Sequence, residues 1–92
     1  MTDDRTELRE AAERLDSVRD DSSDDETRER LESLAERLRT MADAERGPDH
    51  GQLARLEHNL QDVQSNLDDE QAERVQAALG DVRSYRETVE GV

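Results

Sequence analysis

Leu53-Ala54-Arg55-Leu56-Glu57-His58-Asn59-Leu60-Gln61-Asp62-Val63-Gln64-Ser65-Asn66-Leu67 spaces its large apolar residues three, four, three and four apart. Leu53, Leu56, Leu60, Val63 and Leu67 therefore fall on one stripe of an α-helix, and every polar residue falls elsewhere. Three other stretches have the same period. The first carries Leu8, Ala11, Ala12, Leu15 and Val18. The second carries Leu31, Leu34, Ala35, Leu38, Met41 and Ala42, and the last Ala72, Val75, Ala78, Leu79, Val82, Tyr85 and Val89. Nothing alternates with period two, so no strand is expected.

Local chemistry marks the ends of these stretches. Thr2, Asp3 and Asp4 suit the start of the first helix. Ser23 with Glu26 has the spacing of a capping box, and Asp49 with Gln52 and Asp68 with Gln71 are looser versions of it. Gly47-Pro48 is a stop signal: a glycine to cap one helix, then a residue that cannot continue it. Glu10–Arg14, Glu26–Arg30 and Glu70–Arg74 are spaced as i,i+4 ion pairs. Helices are expected over about 3–20, 24–45, 50–66 and 69–90. Short connections make neighbours antiparallel. The expected fold is all-α, one domain over residues 1–92, an antiparallel up-down four-helix bundle built from two tandem helical hairpins. A faint repeat supports the hairpins. Asp24-Asp25-Glu26 recurs as Asp68-Asp69-Glu70, and Leu8, Leu15 and Val18 fall on Leu53, Leu60 and Val63 at an offset one residue longer.

The core is thin. Seventeen side chains of valine size or larger lie on the apolar stripes, and the first helix supplies only Leu8, Leu15 and Val18. Hydrophobic residues make up 30% of the 92 residues and charged residues 42%. The 26 acidic and 13 basic residues give a formal charge of −13, and every basic residue is Arg. Such a charge opposes compaction in dilute solution, but at ~1 M salt the Debye length falls to roughly 3 Å and the repulsion is largely silenced. The balance reads as adaptation to a salt-rich cytoplasm. It excludes nucleic acid as a partner, since no basic stripe with stacking aromatics exists. It disfavours anionic membrane surfaces, and no apolar run approaches the ~20 residues of a membrane span. No secretory signal is read at the N-terminus, so a cytoplasmic protein is expected.

Chemistry-bearing motifs are sparse. There is no Cys, hence no disulfide or thiolate centre. No phosphate-binding glycine loop, nucleophile elbow or HExxH motif occurs, so no enzyme activity and no cofactor or metal are expected. The one distinctive local motif is Arg46-Gly47-Pro48-Asp49-His50-Gly51. With Tyr85, the only aromatic, expected at the same end of the bundle, Arg46, Asp49, His50 and Tyr85 are the candidate ligand-binding residues. On the third helix, neutral Gln52, Asn59, Gln64 and Asn66 flank the apolar stripe where charged residues would otherwise stand. Amides tolerate a close neighbouring helix, so these four are candidate interface residues. The neighbour is either another helix of the chain or a partner: an unidentified protein or a second copy in a homodimer.

The Glu-Arg-rich helical hairpins, the turn Arg46-Gly47-Pro48-Asp49-His50-Gly51-Gln52-Leu53-Ala54-Arg55 and the ending Tyr85-Arg86-Glu87-Thr88-Val89-Glu90-Gly91-Val92 together resemble a family of short haloarchaeal proteins of unknown function. The resemblance spans nearly the whole chain and brings no activity with it. The expected role is a non-catalytic protein–protein interaction or a structural or regulatory helical module. A small-ligand or metal-binding protein, or an enzyme, using the 46–51 turn and Tyr85 is the alternative.

Overall fold

A computed structural model describes residues 5–89. It contains α1 (Thr6–Asp21), α2 (Asp25–Asp43), α3 (His50–Gln64) and α4 (Asp69–Arg86), and no strand among the described residues. α1 packs closely on both α2 and α4, α3 packs on α4, and α2 meets α3 more loosely. The diagonal pairs do not approach each other. The result is the expected four-helix bundle, 41 × 20 × 17 Å across.

Of the seventeen large apolar residues, fourteen are buried, and Met41, Leu67 and Val89 pack half-exposed against them. α1 is not the weakest member despite its few large side chains. Ala11 and Ala12 are fully buried, and their small side chains let the backbones of α2 and α4 come close. The α2–α3 side stays the most open.

The helix ends depart from expectation in instructive ways. The proposed cap at Thr2, Asp3 and Asp4 lies outside the described residues, as does Glu90. α2 begins one residue later than a Ser23 cap requires: Asp24 is its N-cap, accepting from the Thr27 amide at 3.0 Å and the Thr27 hydroxyl at 2.7 Å. A carboxylate at the positive end of the helix is the better acceptor, so the Ser23–Glu26 box is displaced. The Thr27 hydroxyl and then the Thr27 amide hold the Asp24 carboxyl below the usual carboxylate range. Asp68 caps α4 in the matching place, 44 residues on, accepting from the Gln71 amide at 2.8 Å. α3 has the full reciprocal box, with Asp49 accepting from the Gln52 amide and Gln52 Oε1 from the Asp49 amide.

α2 ends at Asp43, short of the residue 45 expected, and Gly47 is not its cap. The end is covered from across the bundle, by the residue that precedes α1. The Arg5 guanidinium, on a residue only 8% exposed, donates to the carbonyls of Met41 (3.0 Å), Ala42 (3.4 Å), Ala44 and Glu45 (3.5 Å). α2 has no basic residue in its own last turn, and Arg5 places a cation on those orphan carbonyls. α3 closes at Gln64, where the Asn66 side chain turns back and donates from Nδ2 to the Asp62 carbonyl at 3.1 Å. α4 ends in a tightened turn, with Thr88 bonded through both amide and hydroxyl to the Tyr85 carbonyl.

The three expected i,i+4 pairs do not form. Their arginines reach across the bundle instead: Arg14 to Asp81 at 2.8 Å, Arg30 to Asp62 at 2.5 Å, and Arg74 to Asp21 at 2.7 Å and to Ser17. A long planar donor fork spans two helices, and there it ties separate elements together rather than one helix to itself.

Candidate functional site

The 46–51 turn and the end of α4 meet, as the sequence anticipates. Asp49 is exposed and occupied by its capping box. His50 opens α3, half-buried. Its Nε2 lies 3.1 Å from the Val89 carbonyl, and Arg86 Nε donates to its Nδ1 at 3.3 Å. An acceptor at Nδ1 and a donor at Nε2 describe the neutral Nε2–H tautomer, assigned here from the two partners. Arg86 also donates from Nη1 to Glu57 Oε2 at 2.8 Å, and Arg83 reaches Glu57 Oε1 at 3.3 Å. The Glu57 side chain is only 12% exposed. A continuous chain therefore runs Glu57–Arg86–His50–Val89 and fastens α3 to α4. Tyr85 sits 2% exposed in the core behind it, and Arg46 is exposed on the turn. The structure thus brings His50 to the end of α4 that carries Tyr85. Both His50 ring nitrogens are engaged in holding that end together. Arg86 and Glu57, which complete the chain, were not anticipated as site residues. Their signal in the sequence was weak: one acid at a flanking position of an otherwise amide-lined helix.

The four amides divide between two seams. Gln64 faces α4, where its Nε2 donates to the Ala72 carbonyl at 3.1 Å and to Gln76 Oε1 at 3.0 Å. Asn66 closes its own helix. Gln52 and Asn59 face α2 across the open seam. Part of the neighbour anticipated for these amides is thus within the chain.

That open seam is a groove. One stretch, of about 460 Å³, lies among Ser33, Arg37, Met41, Gln52, Arg55 and Leu56. It continues past Ser33 and Arg37 toward Glu26, Glu29, Arg30 and Asn59. Its floor is apolar, with Leu34 and Leu56 nearly covered and Met41 half-exposed. Its walls are polar and carry both signs of charge. α3 itself is acid-poor: Glu57 and Asp62 are its only acids, and Arg83 and Arg86 take the first while Arg30 takes the second. Arg37 and Arg55, both on the groove, have no ion-pair partner among the described residues. Most other arginines do, among them Arg19, which bonds Asp20 and lies near Asp16 and Glu32. Those contacts, the Asp20 hydrogen bond first, raise the Arg19 pKa.

Among the described residues no three His, Asp or Glu side chains are grouped to hold a metal ion, and no helix is long and apolar enough to cross a membrane. The model of a family of unknown function, DUF7553, matches residues 1–88. Neither a curated protein nor a solved structure matches the chain.

Proposed function

The chain belongs to this DUF7553 family of unknown function, and we propose that it acts as a non-catalytic helical interaction module in a salt-rich cytoplasm, docking a protein partner on its α2–α3 face. The observation that carries the reading is the groove. It is the seam between neighbouring helices that the bundle leaves most loosely closed, and it couples an apolar floor to the unpaired Arg37 and Arg55 and the amide-bearing Gln52 and Asn59. Elsewhere, most arginines are held in ion pairs, chiefly between helices. At the 46–51 end, both ring nitrogens of His50 are committed to the protein itself, which supports a structural turn there.

The test blocks the groove without touching the core. Ser33 is exposed at its centre, so Ser33→Tyr fills the space while the helix stays intact. Tagged wild-type chain in molar KCl should retain a protein partner, another protein or its own copy, and Ser33→Tyr should lose it. Retention unchanged by Ser33→Tyr, or no partner and a monomeric mass, refutes the reading.

A further inference from the structure

Arg30 of α2 and Asp62 of α3 tie one part of the α2–α3 seam with an ion pair. The two helices are consecutive and joined by a short turn, so they run in opposite directions. Seven residues onward along α2 therefore lie level with seven residues backward along α3, each on the same stripe of its helix. That step leads from Arg30 to Arg37 and from Asp62 to Arg55. Where the first level sets an arginine against an acid, the next sets an arginine against an arginine. Both line the same hollow of about 460 Å³, beside Met41, Gln52 and Leu56. Neither has an ion-pair partner among the described residues. Glu36 is the only acid on this hollow, and it also lines the next hollow out, with Arg39, Thr40 and Asp43, which puts it on the outer rim.

From this like-charged level we infer that the groove binds an amphipathic helix of a partner protein, one that brings carboxylates between Arg37 and Arg55 and apolar side chains onto Met41 and Leu56. This rests on the interaction-module reading and names the partner's chemistry. A guanidinium fork matches a carboxylate, and two forks facing each other across a seam lack the acceptor that Asp62 supplies to Arg30. A carboxylate from outside makes the second level resemble the first. From Glu26 to Met41 the groove runs about 22 Å, at ~1.5 Å per residue. A long groove between two helices with an apolar floor suits a third helix that anchors apolar residues three and four apart. Gln52 and Asn59 on the α3 wall are neutral and do not repel an acid. A basic helix would set its charges against Arg37 and Arg55. The opposite end of the groove carries Glu26 and Glu29, so the partner's acids belong at the Arg37–Arg55 end.

The preference runs against the net charge. A chain of charge −13 attracts basic peptides and repels acidic ones at long range. At ~1 M salt the Debye length is roughly 3 Å, which silences that distant field and leaves contacts within the groove to decide.

The probe is a fluorescently labelled amphipathic peptide of about 16 residues, long enough to span the groove. It carries leucines three and four apart, three glutamates grouped beside them, and glutamine at the other polar positions. A second peptide carries lysines in place of the three glutamates. Binding is measured by anisotropy in ~2 M KCl, with far-UV circular dichroism confirming the fold of each variant. The wild type should bind the glutamate peptide roughly tenfold tighter than the lysine peptide, and Arg37→Glu combined with Arg55→Glu should reverse that order. NMR shifts on binding should centre on the Met41 methyl and the Arg37 and Arg55 side chains. Absence of binding by either peptide at millimolar concentration overturns the inference. So does a lysine peptide that binds the wild type as well or better, or an order unchanged in the double variant. Acetate that reproduces the same shifts at equal concentration makes the site one for a free anion, and overturns the helix. A dimer in sedimentation equilibrium that Ser33→Tyr returns to monomer makes a second copy the occupant, and overturns it too. If Ser33→Tyr abolishes capture of a protein while the two peptides bind alike, the module reading stands and only the acidic helix is wrong.

Discussion

Removing Arg5 should unfasten the end of α2. Its guanidinium donates to four carbonyls at and just past the close of that helix, those of Met41, Ala42, Ala44 and Glu45, from a side chain that is almost covered. A hydrogen bond to a charged group contributes about 1.5–3 kcal/mol. At the end of a helix, some of the freed carbonyls regain water, which sets the expectation for Arg5→Ala near 2 kcal/mol. A domain of this size loses roughly 4–8 °C of Tm per kcal/mol, so the transition should fall by on the order of 10 °C. Arg5→Lys should recover less than half, because an ammonium is a point charge without the planar fork that spans several carbonyls. Urea denaturation followed by circular dichroism at fixed molar salt gives the free energy. Hydrogen exchange gives the place: amides of Met41, Ala42 and Asp43 should lose protection in Arg5→Ala more than those at the start of α2. An Arg5→Ala protein within about 0.5 kcal/mol of wild type, or one whose protection falls evenly along α2, refutes the assignment of Arg5 as the cap.

Glu57 is the acid that joins Arg83 and Arg86, and through Arg86 the His50 ring. Glu57→Ala should cost about 1 kcal/mol, a value kept low because both arginines are more than a third exposed, and Glu57→Gln about half as much; an unchanged His50 ring resonance in Glu57→Ala would break the proposed chain. The Asp24 cap has a pH signature. Its carboxyl is held below its ordinary range by Thr27, so the stability it adds is present above the unfolded-state value and is lost as pH falls through the folded-state value. The stability gap between wild type and Asp24→Ala should thus be full at neutral pH and close below about pH 4, and a gap constant from pH 7 to pH 3 counts against it. Helical signal should fall steeply from molar KCl to dilute buffer as the −13 charge is unscreened; equal spectra and melting points at both ends would remove the argument from salt.

The parts of this fold legible in the sequence are those set by neighbours along the chain. The stripe Leu53, Leu56, Leu60, Val63 is buried as its spacing demands, and the Asp49–Gln52 box forms because both partners lie within one turn. What stayed hidden depends on residues far apart. Arg5 caps carbonyls 36 to 40 residues away, a match that no local pattern announces. Arg14, Arg30 and Arg74 each have an acid four residues before them, so helix spacing favours a local pair. The bundle sets Asp81, Asp62 and Asp21 on neighbouring helices within reach, and these win. Of the candidate residues at the 46–51 turn, His50 was legible as belonging to the α4 end. Its partners were not, since Arg86 and the Val89 carbonyl reach it only once the two hairpins are docked.

The absence of Lys takes on a meaning beyond composition. A single guanidinium repeatedly serves two or more acceptors: Arg5 several carbonyls, Arg74 both Asp21 and Ser17, Arg86 both Glu57 and His50. An ammonium on a flexible stem holds such divided contacts poorly. With a thin apolar core, these forks supply directional ties between helices. The arginines left over are then informative in proportion to how few there are. Arg28, Arg37, Arg46 and Arg55 have no acid partner among the described residues, and two of the four, Arg37 and Arg55, line the same groove. In a chain with twice as many acids as bases, an unpartnered arginine beside an acid-poor helix is the local exception.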